Sequence, residues 1–136
     1  MRTLLIGALL TAMLALAAPA GAGSTAQIVI RHQMKGCHTW AVGNQAYRAT
    51  QHVTVARGTT FTLVNNDVMP HTLIQLAGQK VALGHALLNH MGASTKFTLA
   101  KPGTYRFGTK AGEDYKGMAM KTIGEDNVLR LVVVVS

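Results

Sequence analysis

Asn65-Asn66-Asp67-Val68-Met69-Pro70-His71 forms a corner between two strand-like runs, Thr59 to Val64 before it and Thr72 to Leu76 after it. Asn and Asp side chains hydrogen-bond their own backbone in turns, while Pro70 fixes its own φ and restricts Met69 to extended geometry. His71 is therefore held on a stiffened corner at a strand end, where a β-sheet protein presents a ligand rather than a packing residue. The competing reading is a plain turn followed by an ordinary strand-end histidine.

Working outward, the chain is a succession of short strand signals. Gln51 to Ala56 alternates, with Val53 and Val55 on one face, and Arg57-Gly58 turns it into Thr59 to Val64. These two runs read as a hairpin with Phe61 and Leu63 inward. Upstream, Gln27 to Arg31 reads as a first strand, and Trp40 and Val42 begin a second as core residues, with Gly43-Asn44 as a turn. Downstream, residues 82–92 read as an irregular or weakly helical connection carrying His85, His90 and Met91. Thr95 to Leu99 and Thr104 to Phe107 alternate on either side of Lys101-Pro102-Gly103. The apolar run from Val128 to Val135 suits a strand covered on both sides or at the sandwich centre. Short strands, frequent turns and no long helix predict an all-β antiparallel β-sandwich of Greek-key type, in a single domain.

Residues 1–22 read as a secretory signal peptide. Arg2 precedes a continuous apolar run from Leu4 to Ala18, and small residues around Ala20 offer a cleavage site. The run is short for a membrane span, and no positive cluster follows it. The expected mature domain is 23–136, in the periplasm or secreted. The chain carries a net charge of +8, spread singly with no basic run and little aromatic interleaving. For an exported chain that excludes nucleic acid as the expected partner and favours an acidic partner protein, or peripheral contact with an anionic membrane. Nothing fixes the oligomeric state.

Cys37 is the chain's one cysteine, so it forms no internal disulfide although exported chains usually pair theirs. It lies in the segment His32-Gln33-Met34-Lys35-Gly36-Cys37-His38, which gathers imidazole, thioether and thiol groups into a single loop. Methionines 34, 69, 91, 118 and 120 add a soft-ligand enrichment; the competing reading is that they fill gaps in the core. Glu113-Asp114 and Glu125-Asp126 are the acidic pairs, read as orienting, docking or salt-linking groups. No nucleophile motif, phosphate loop or paired zinc-hydrolase histidines are present, and the chain is not expected to be an enzyme.

Taken together, the Arg57-Gly58 turn, the Asn65-to-His71 corner, Lys101-Pro102-Gly103-Thr104-Tyr105-Arg106-Phe107, Gly117-Met118 and the Val-rich last strand resemble the cupredoxins, the plastocyanin and azurin family of small copper proteins. The resemblance implies a copper ligand at His71 and a weak thioether ligand at Met118. It also exposes a departure. Where the family places a Cys and then a His after the Tyr-x-Phe strand, this chain has Gly108-Thr109-Lys110-Ala111-Gly112-Glu113-Asp114-Tyr115, so the ordinary blue-copper set cannot form. In such a sandwich the first strand runs toward the ligand end, so the loop after it can supply the missing thiolate and imidazole as Cys37 and His38. The expected metal set is His71, Cys37, His38 and Met118. Thiolate, thioether and imidazole select copper, and the thioether disfavours zinc. The expected role is electron transfer or copper carriage, with an acidic redox or copper-transfer protein as the expected partner. The alternative is a metal-free cupredoxin-like binding module with Cys37 as a reactive or partner-bonding thiol.

Overall fold

The computed structural model describes residues 23–34, 36–111 and 128–136. Among these residues nine strands make two facing sheets: β1 (Thr25–His32), β2 (His38–Val42), β3 (Thr50–Val55), β4 (Thr59–Asn66), β5 (His71–Ala77), β6 (Leu87–Leu88), β7 (Ser94–Leu99), β8 (Gly103–Ala111) and β9 (Arg130–Val135). One sheet has the order β2-β1-β4-β7 and the other β3-β9-β8-β5-β6. The all-β sandwich expected from the sequence is the fold observed. Its sheets are mixed, because β1 pairs with β4 and β3 pairs with β9 in parallel. No helix occurs among the described residues, and the 82–92 connection contributes only β6, set against the start of β5.

Period-two alternation buries one side of each sheet. In β4 the inward positions are Thr59, Phe61, Leu63 and Asn65, so the register that buries two large apolar side chains also carries Asn65 inward at the sandwich end. Trp40 is fully buried, with its indole N–H donated to the Ala49 carbonyl at 3.0 Å. Phe97 stacks on Phe61 with ring centroids 5.3 Å apart and meets Phe107 at a tilt with centroids 5.0 Å apart.

Two expectations are corrected. β3 and β4 are not a hairpin: β3 pairs with β9 in one sheet, and β4 pairs with β1 and β7 in the other. Alternation shows which side chains face the core but not which strand lies alongside, and a three-residue link serves a crossover as well as a hairpin. β9 is also not covered on both sides. Leu131, Val133 and Val135 are buried, while Val134 on the opposite face is 42% exposed, and the strand begins at Arg130 rather than Val128.

The parallel pairing of β1 with β4 positions the site. Both strands run to the same end of the sandwich, Ile30 opposite Asn65 and Arg31 opposite Asn66. β2 returns antiparallel from there, with His38 opposite His32. The β1–β2 connection is thereby delivered to the Asn65–His71 corner.

Candidate metal centre

Asn65 organises the corner. Its fully buried side chain donates to the carbonyls of Met69 at 2.8 Å and Leu88 at 3.1 Å, and its Oδ1 accepts the Asp67 N–H at 3.0 Å. Asp67 Oδ1 in turn accepts the Met69 N–H at 3.1 Å. The turn chemistry legible in Asn-Asn-Asp is thus realised, and it aims the Asp67 carboxylate inward, where it has no solvent exposure.

Two imidazoles meet on that carboxylate. His38 Nδ1 lies 2.8 Å from Asp67 Oδ2, and His71 Nε2 lies 3.2 Å from the same oxygen. An ionised carboxylate only accepts, so both ring nitrogens are donors. The rings stand edge to face with centroids 4.7 Å apart. His38 is 2% exposed and His71 not at all. On the far side of the His71 ring, Nδ1 is buried and has no hydrogen-bond partner. With Nε2 holding the proton, Nδ1 of the neutral ring presents a bare lone pair, which is an arrangement suited to a metal ligand.

His71 and His38, both expected as ligands, are therefore brought together from segments far apart in the chain. Cys37 precedes His38 in the turn and is half-buried. Its φ of +53° is left-handed, beside Gly36 at +75°, and the His38 N–H returns to the Gly36 carbonyl at 2.6 Å. A non-glycine residue there costs about 1–2 kcal/mol, strain of a kind found at functional positions. Met118 and Met120 lie outside the described residues, as do both acidic pairs. Met34, His85, His90 and Met91 are exposed.

The sequence reading missed Asp67 as a site residue, taking it only as a turn former. Two signals pointed to it: it stands four residues before His71, and it is the sole acidic residue ahead of Glu113 in a strongly basic chain. His32 was noted among the loop's ligand types but not placed in the set. Its Nδ1 lies 3.9 Å from Asp67 Oδ1, with its side chain half exposed.

Burial alone pushes the Asp67 pKa up. Hydrogen bonds from His38, His71 and the Met69 amide, together with the His38 charge, outweigh burial and hold the carboxyl well below the usual carboxylate range. Because the folded value is depressed, the unfolded chain binds the proton first. The contribution is fully present above the ordinary value of 3.8 and is lost as pH falls through that value and on toward the folded one. Urea midpoints of the apo protein between about pH 6 and about pH 3 are expected to fall steeply at the acid end, and Asp67→Asn to flatten that fall.

No family model matches the chain, and no curated protein matches it. Among solved structures it is similar to a purple cupredoxin from Nitrosopumilus maritimus, at 18% identity over 81% of this chain and 98% of that one, with a TM-score of 0.48. It is also similar to two oxidised amicyanin mutants, at 21% and 22% identity over 87% of each chain, with TM-scores of 0.41 and 0.42. Identities this low leave the role of each residue to the geometry of this chain.

Proposed function

We propose that this is an exported copper-binding protein of cupredoxin type, holding its ion through His71 Nδ1 and His38, with Cys37 as thiolate and Met118 as a weaker thioether. The observation that carries this reading is the buried, partnerless Nδ1 of His71, on a ring whose other nitrogen is fixed by Asp67. In the metal-free alternative Asp67 accepts from both imidazoles, and that leaves His71 Nδ1 buried at a desolvation cost of about 1–3 kcal/mol with nothing to offset it.

The donor set suits copper. Imidazole serves both oxidation states, and thiolate and thioether favour Cu(I). Bound copper would supply one-electron transfer or travel as cargo. The chain's own part is to hold the His71 ring in one orientation, keep water off both imidazoles and restrain the turn that carries Cys37. A corner tied down by Asn65 and Asp67 favours electron transfer, which needs little rearrangement between oxidation states, over carriage, which needs release. Asp67, buried and paired, is the sole acidic residue among the described residues of a chain with net charge +8, which supports an acidic redox partner or an anionic membrane surface as the site of encounter.

The test is a copper titration of the reduced chain beginning at residue 23, read by visible absorption and by metal retained after desalting. We expect one retained copper, with any thiolate-to-copper band absent in Cys37→Ser and affinity lowered by roughly 100-fold or more. No retained copper in either oxidation state would leave the metal-free module as the better reading.

A further inference from the structure

The Asp67 carboxylate has one acceptor position left over. Oδ2 takes His38 and His71, and Oδ1 takes the Met69 amide. A carboxylate offers about four lone-pair sites, so Oδ1 retains one, in a side chain with no solvent exposure. Facing it is His32 Nδ1 at 3.9 Å. That separation is too long for a hydrogen bond but suits two ligands of one ion. His32, His38 and Asp67 together offer one ligand atom each within 4.8 Å of one another.

We propose that His32, His38 and Asp67 form a second metal site, for a divalent borderline cation of the Zn2+ or Cu2+ class. Two imidazoles and a carboxylate supply three protein ligands, the number that leaves a fourth position for water or an incoming group. The two buried ligands are fixed by the fold: Asp67 by the Asn65 and Met69 bonds, His38 by its place in β2 opposite His32. His32, half exposed, forms the solvent side of the site and gives the ion its way in. On binding, the cation displaces the ring proton that His38 now donates to Asp67, and that proton leaves to solvent. The ligand set lacks sulfur and therefore differs in class from the thiolate site centred on His71. The site shares His38 with the copper reading but uses neither Cys37, Met118 nor His71 Nδ1, so it stands or falls by His32 and Asp67.

The test uses Zn2+, which is redox-inert and disfavours thioether. Calorimetric titration of the metal-free chain from residue 23 is expected to show one Zn2+ bound. His32→Ala should weaken it by roughly 10- to 100-fold without moving the thermal unfolding midpoint of the metal-free protein, since His32 is half exposed. Zn2+ should also shift the His32 ring resonances of the wild-type chain. An absence of Zn2+ binding, or binding indifferent to His32→Ala, would overturn the inference. Loss of Zn2+ in Cys37→Ser with His32→Ala unaffected would place the ion at the thiolate and overturn it equally. A chain that binds Zn2+ through His32 but retains no Cu(I) would overturn only the copper reading.

Discussion

Replacing His71 with alanine is expected to abolish copper retention, and free imidazole added to the variant to restore part of it. The side chain is fully buried, and its Nδ1 is the partnerless atom on which the copper reading rests. Removing the fully buried ring also takes one donor from Asp67 Oδ2 and leaves a cavity, so the variant should lose about 2–3 kcal/mol of stability. Imidazole rescue separates the two effects, because a small ring that fills the cavity can bring back the ligand nitrogen without the covalent link. Copper retention unchanged in a folded His71→Ala protein would remove His71 from the site.

Asp67→Ala is expected to cost more in stability, about 3 kcal/mol, and to lower copper affinity by roughly 10- to 100-fold. The carboxylate is the common acceptor for both imidazoles and also closes the turn onto the Met69 amide. Without it, two buried ring N–H groups lose their acceptor. Asp67→Asn should be milder. It preserves the shape and the acceptor for Met69, but it offers an amide N–H to one of two imidazole donors, so one ring must change tautomer. Removing the negative charge next to the ion should also raise the reduction potential, since an adjacent anion favours Cu(II) over Cu(I). An unchanged potential in a folded, copper-loaded Asp67→Asn protein would mean that Asp67 serves the turn alone.

Much of this architecture was written in local pattern. The Asn65-to-His71 corner was legible because turn chemistry is a property of adjacent residues, and the inward set of Phe61 and Leu63 was legible because strands alternate. Strand neighbours were less so. Val53 and Val55 face the core whether β3 lies beside β4 or across from it, and the pairing of β3 with β9 depends on residues 80 positions away. The Val-rich run of β9 suggested two covered faces, yet valine suits an extended backbone on an open face as well.

The site divides in the same way. His71 and the Cys37-His38 turn stood out by residue type, and the parallel pairing of β1 with β4 explains why the two segments converge. Asp67 was hidden because its local task, accepting the Met69 amide, accounts fully for an Asp at that position. Its larger task appears only when His38, 29 residues upstream, folds onto the same carboxylate. His32 was hidden for a related reason, since a half-exposed strand-end histidine carries no local signal of the carboxylate opposite it. Met118 lies outside the described residues, so the thioether rests on the resemblance alone.

His71 is expected to carry its proton on Nε2, toward Asp67, and to offer Nδ1 to copper. Long-range proton–nitrogen NMR of the uniformly 15N-labelled reduced chain, before and after addition of Cu(I), reads this directly because Cu(I) is diamagnetic. A protonated Nε2 and a bare Nδ1 are expected in the metal-free protein, with Nδ1 shifting on addition of Cu(I) while Nε2 keeps its proton. A proton found on Nδ1, or a Cu(I) shift at Nε2 or at neither nitrogen, would contradict it.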